Sequence, residues 1–177
     1  EEYINKYDVI YIDFSRLPEN CQTYEEYINR IKTGIKEDLL EEFSELELKE
    51  EMSLWDILAK IFQKTNRKFM FIMDEWDAVF HMPFISQKER QEYLLFLKNL
   101  LKDQVYVELA YMTGILPIAK YSAASELNMF VEYNMATRER FSSYFGFSEE
   151  EVDKLFQIYS ETTIRPRITR HDLKNLV

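Results

Sequence analysis

The run Phe69-Met70-Phe71-Ile72-Met73, followed at once by Asp74-Glu75, constrains this chain more than any other feature. Five consecutive large apolar residues leave no polar face. Such a run predicts a short strand buried on both sides, as in the middle of a parallel sheet. In open α/β sheets ligands bind beyond the carboxyl ends of the strands, so the two acids stand where chemistry is expected. The first acid can hold Mg²⁺, usually through water, and the second can polarise an attacking water. Turns also favour acids, so a strand that ends in Asp-Glu is in addition a common way to begin a turn.

The surrounding pattern alternates strands and helices. Val9-Ile10-Tyr11-Ile12-Asp13-Phe14 reads as a strand, Val105 to Met112 as another, and Met129 to Met135 as a weaker fourth. Helix starts are marked by a hydroxyl three residues before an acid, a pairing that satisfies two otherwise orphaned backbone N–H groups. Thr23 and Glu26 open a helix reaching about Phe43, with Tyr24, Tyr27, Ile28, Ile31, Ile35 and Leu39 at helical spacing. Ser53 with Asp56, Ser86 with Glu89, Ser148 with Glu151 and Thr169 with Asp172 open four more. Strand, helices, strand, helix, strand is an α/β order. The expected division is an α/β core over residues 1–147 and the start of a helical subdomain over 148–177.

Composition removes several function classes. The net charge is −10, which repels a phosphate backbone, so nucleic-acid binding across a broad face is not expected. Arg165, Arg167, Arg170 and Lys174 form a small basic cluster that reads first as a solvated helix flank. Cys21 is the single cysteine, so no intrachain disulfide can form, and His81 and His171 lack a second ligand at metal spacing. No apolar run approaches the ~20 residues that span a bilayer, and no signal peptide is present, so a cytoplasmic setting is expected. The chain opens on Glu1-Glu2-Tyr3 without Met, which suggests a piece of a longer protein. Glu47-Leu48-Lys49 matches a nuclease-type Glu-x-Lys pair but lies in an acidic stretch away from any strand.

The third strand runs through Glu108-Leu109-Ala110-Tyr111-Met112 into Thr113-Gly114. A polar residue at that point suits a sensor of a terminal phosphate, and it suits equally a hydroxyl that closes a turn. At this level of detail the chain resembles the AAA-ATPase-like family of bacterial P-loop proteins, often fused to a PD-(D/E)XK nuclease-like domain. The matching stretches are Val9–Phe14, Phe71-Ile72-Met73-Asp74-Glu75-Trp76-Asp77, Met112-Thr113-Gly114-Ile115-Leu116-Pro117-Ile118-Ala119-Lys120, Leu127–Phe130 and Tyr144-Phe145-Gly146-Phe147-Ser148-Glu149-Glu150-Glu151-Val152. They occur in family order. Trp76 stands where many relatives have Tyr.

The resemblance implies a partial P-loop NTPase sheet of parallel strands flanked by helices, with the start of a helical lid. In the family's order 5-1-4-3-2, the three clear strands here would be 2, 3 and 4, lying 4-3-2. It implies a Walker B carboxylate at Asp74 that holds Mg²⁺ via water, a catalytic Glu75 and a sensor at Thr113. Asp77, Arg138 and Arg140 are further candidates to contact the nucleotide, although surface ion pairs are the alternative use of the two arginines. ATP and Mg²⁺ would be the ligands of the intact parent.

One element of the family pattern is not found. The 177 residues contain no Gly-x-x-x-x-Gly-Lys-Ser/Thr, since their glycines are Gly34, Gly114 and Gly146 alone. That loop supplies a nest of backbone N–H donors, a lysine and a hydroxyl for Mg²⁺. The expectations are that the 177 residues alone neither bind nor hydrolyse ATP, and that the phosphate-binding segment and a nuclease-like domain are partners in cis. A further expectation is that Val107, Leu109 and Tyr111 form an unpaired apolar sheet edge that invites homo-oligomers. The competing view is a degenerate P-loop fold that serves as an interaction module without nucleotide.

Overall fold

The computed structural model of the chain describes residues 6–16, 21–118, 127–133, 144, 146–162 and 168–174. It divides into two compact units, Glu1–Phe130 and Val131–Val177, taken separately below.

The first unit is α/β. Strand β1 (Asp8–Asp13) leads to helix α1 (Tyr24–Glu42) and helix α2 (Leu54–Thr65). Strand β2 (Phe69–Asp74), a short 3₁₀ turn (Ala78–His81), helix α3 (Gln87–Leu101) and strand β3 (Val107–Met112) follow. The three strands are parallel in the order β1-β2-β3, the expected 4-3-2 arrangement read from the other side.

Local signals explain the helix limits. The Glu26 N–H donates to Thr23 Oγ1 at 3.2 Å and Glu26 Oε2 accepts from the Thr23 N–H at 3.1 Å, closing the predicted capping box. The Asp56 N–H donates to Ser53 Oγ at 3.2 Å, and α2 ends on Asn66 in the left-handed conformation. At α3 the Ser86 N–H donates to Glu89 Oε2 at 2.6 Å.

The three helices bury one face of the sheet. Ile10, Ile12, Phe69, Phe71 and Met73 point into a core completed by Ile57, Leu58 and Ile61 of α2 and by Tyr93, Leu97 and Leu100 of α3. Phe69 meets Phe43, just past α1, with ring centroids 6.2 Å apart, and Phe14 meets Tyr93 at 5.5 Å.

The other face departs from expectation. Strand β2 alternates between buried and more open positions, so it is not buried on both sides. Topology gives the reason. The chain steps β1 to β2 to β3 in one direction, and right-handed crossovers in one direction place every connecting helix on the same face. The opposite face carries Val9 and Tyr11, Met70 and Ile72, Leu109 and Tyr111. Val9, Tyr11, Leu109 and Tyr111 are 55, 57, 52 and 54% exposed.

Two further expectations are corrected. Val107 is half-buried against the core, because a bulge at Phe69/Met70 leaves Glu108 as the extra residue and puts only Leu109 and Tyr111 on the open face. Residues 127–133 contain no strand, so the described part of the weaker fourth strand is irregular; Asn134 and Met135 lie outside the described residues. Leu127 is instead a core residue.

In the second unit, helix α4 (Glu149–Thr162) carries its expected cap, with the Glu151 N–H donating to Ser148 Oγ at 3.3 Å. Helix α5 (Arg170–Lys174) is joined to it by Arg170, whose guanidinium bonds Glu149 at 2.6 Å and Asp153 at 2.5 Å. The one member of the basic cluster whose side chain is described is therefore paired with acids. Among the described residues no helix is long and apolar enough to cross a membrane.

Candidate functional site at the strand ends

The alternation that opens one sheet face also sets the direction of the acids. Met70 and Ile72 lie on the open face of β2, so Asp74 does too, and Asp13 is its register partner on β1. Three cross-strand rows thus run up that face: Val9, Met70 and Leu109, then Tyr11, Ile72 and Tyr111, then Asp13 and Asp74. The carboxylates crown an uncovered apolar surface at the carboxyl edge of the sheet.

Thr113 is brought directly to this row. Its N–H donates to Met73 O at 2.9 Å and its carbonyl accepts from the Trp76 N–H at 2.9 Å, extending the β2–β3 ladder past the strand ends. Its hydroxyl donates to Asp74 Oδ1, while Thr113 Oγ1 accepts from the Glu75 N–H at 3.3 Å. The Tyr11 hydroxyl approaches Asp74 Oδ2 at 3.4 Å. Loss of solvent first, then the charges of Asp74 and Asp13, raises the Tyr11 phenol above its ordinary value. Asp13 is held below the usual carboxylate range, chiefly by the Ser15 hydroxyl, which donates to it at 2.6 Å.

Glu75 is half-buried and adopts φ 52°, the left-handed region that suits glycine better than a residue with a Cβ. This turn breaks the strand alternation, so the second acid leaves the sheet in a different direction from the first. The loop is fixed from beneath by Tyr93, whose buried hydroxyl donates to Trp76 O at 2.7 Å. Trp76 is itself buried and packs edge-on to Phe80, 5.4 Å between centroids.

Asp77 goes elsewhere. Proposed from sequence as a nucleotide contact, it is only 1% exposed, and its carboxylate accepts the Leu116 N–H at 2.8 Å and the Ile115 N–H at 3.2 Å. Those bonds turn it into the loop after β3, away from the solvent edge. Sequence reasoning missed this role, since spacing alone cannot distinguish an acid that faces out from one that caps a loop. Arg138 and Arg140 lie outside the described residues.

The donor set fits a hard cation in one respect. Mg²⁺ is commonly held by one or two carboxylates together with substrate phosphates and water. Asp74 presents one half-buried carboxylate, with two of its roughly four acceptor directions used by Thr113 and Tyr11. Among the described residues no group of three or more His, Cys, Asp or Glu side chains forms a protein-only metal cage.

Comparison with curated proteins and with solved structures gives no match. A family model described as a predicted AAA-ATPase matches residues 1–124. The chain therefore belongs to the AAA-ATPase-like family.

Proposed function

We propose that these residues form the Walker B and sensor half of a P-loop ATPase site. The supporting observation is the hydrogen bond from the Thr113 hydroxyl to Asp74, with Glu75 alongside, at the carboxyl ends of adjacent parallel strands. In this reading Asp74 orients a hydrated Mg²⁺ and Glu75 polarises the attacking water. Thr113 ties the two together and reports the terminal phosphate. Arg138 and Arg140 remain candidates to contact that phosphate. ATP binding itself requires the phosphate-binding loop, which these 177 residues do not contain and which a segment outside them supplies in cis. The uncovered sheet face supports this, because a chain reversing its winding direction would cover that face beside Asp74. The setting is a bacterial cytoplasm, with a nuclease-like domain as a further partner in cis.

Loss of one preorganised donor costs roughly 2.7–4 kcal/mol of transition-state stabilisation, and a whole phosphate nest more. The 177 residues alone are expected to show no heat of MgATP binding in calorimetry. A longer polypeptide carrying the loop is expected to hydrolyse ATP and to lose at least about a hundredfold in kcat on Glu75→Gln. Micromolar MgATP binding to the 177 residues, or full activity of that variant, would overturn the reading. The exposed apolar face also supports the second reading, an interaction module without nucleotide. That reading wins if the longer polypeptide lacks a Gly-Lys-Ser/Thr loop.

A further inference from the structure

Asp77 is the single buried charged residue among the described residues, and no step of the proposed reaction uses it. A carboxylate is placed out of water only where hydrogen bonds replace its hydration. Here the replacement is two consecutive backbone N–H groups, those of Ile115 and Leu116. Gly114 lies between them and Thr113. A Cβ there would stand 2.4 Å from Trp76 Cδ1 and 2.5 Å from Asp77 Oδ1, so the two loops approach too closely for any side chain. The segment 113–116 is thus stitched to 74–77 at both ends. Backbone bonds and the Thr113 hydroxyl hold its start, and the Asp77 carboxylate holds its finish.

Resting on the reading of the site given above, we infer that Asp77 is a positioning residue. Its buried carboxylate anchors the loop after β3 and thereby keeps the Thr113 hydroxyl against Asp74 and the Glu75 N–H. It touches neither nucleotide nor cation. Its partners are neutral amides, so the bond needs an acceptor with two lone-pair directions available. Both amides reach Oδ2, and the Ile115 N–H also faces Oδ1 at 3.3 Å, so Asn must turn its NH2 either toward both amides or, with its oxygen in the Oδ2 place, against the Ile115 N–H.

Native-state hydrogen exchange on the 177-residue chain tests the structural half. Asp77→Asn is expected to speed exchange at the Ile115, Leu116 and Trp76 amides about tenfold or more beyond any change in the β1–β2 ladder. The Trp76 amide is the critical probe, because it donates to the Thr113 carbonyl. Tyr106→Phe is the control. It removes a buried bond to Leu100 O, 2.9 Å in the native chain, and should not single out those three amides. Should Asp77→Asn fail to fold, Gly114→Ala decides alone, since its methyl forces the same two loops apart. Unchanged exchange at Trp76 in the folded variants would overturn the inference.

In the longer polypeptide, a positioning role predicts that Asp77→Asn lowers kcat about tenfold or more with KM nearly unchanged. A raised KM with unchanged kcat would instead make Asp77 a ligand-binding residue and overturn the inference. If the native longer polypeptide hydrolyses no ATP, the ATPase reading fails, and the exchange result still judges the loop anchor on its own.

Discussion

Glu75 combines two roles that pull on the same backbone. As the second acid after a strand it is the candidate to polarise water, yet its φ of 52° places a Cβ in a region that costs L-residues roughly 1–2 kcal/mol. Such outliers persist where the surroundings over-determine them, and they cluster at functional sites. The bonds around it supply that constraint: its N–H reaches Thr113 Oγ1, and its carbonyl accepts from the Ala78 N–H at 2.9 Å. Glu75→Gly should therefore be more stable than Glu75→Ala by about 1 kcal/mol in urea unfolding. In a helix interior glycine would be the less stable of the two, so an alanine variant equal to or above the glycine variant would mean the left-handed turn is absent. That Asp74, Glu75 and Thr113 stand at strand ends was legible in the sequence, because each apolar run stops there. The sequence carried nothing about the φ of Glu75, nor about Asp77 turning inward, because both follow from how closely β3's loop approaches through Gly114.

At the scale of elements, the helix starts were the most legible feature, since a capping box is local chemistry within four residues. The boxes also set a pH dependence. Glu26, Glu89 and Glu151 are held below the ordinary glutamate value, first by the backbone N–H groups of Gln22, Ser86 and Ser148 and also by cap side chains. A depressed folded-state value means the folded chain binds protons less readily than the unfolded one. The stability these acids contribute is thus fully present above the unfolded value of about 4.5 and is lost as pH falls through the lower folded values. Replacing Glu26 and Glu89 together with Gln should flatten the acid limb of the urea midpoint between about pH 5 and pH 3, with the larger loss at neutral pH and little change at about pH 3. An unaltered acid limb would show that carboxylates elsewhere dominate. Strand limits were less legible than helix limits. The bulge beside Met70 has no local marker, and it alone decides that Val107 faces the core while Leu109 faces out.

For the whole first unit, the expectation that failed is the instructive one. An apolar run such as Phe69–Met73 says that both faces of a strand suit burial; it does not say that both are covered. Coverage depends on winding direction, and here both crossovers go one way. The exposed rows Val9-Met70-Leu109 and Tyr11-Ile72-Tyr111 then seek a partner, and β3 also offers an unpaired edge among the described residues. Size decides how strongly two copies can pair. Three strands ~4.8 Å apart and two rows spaced ~7 Å give a projected face on the order of 200 Å². A stable interface needs about 800 Å² from each partner, so face-to-face pairing alone is weak, and pairing along the β3 edge must add to it. Sedimentation of the 177 residues should accordingly show a monomer at low micromolar concentration and reversible association only well above it. Because both modes share β3, Leu109→Lys with Tyr111→Lys should abolish that association, whereas Leu155→Lys on the exposed side of α4 should leave it intact. A chain that stays monomeric at high concentration, or one whose association survives the β3 pair, would mean that neither the open face nor this edge is where copies meet.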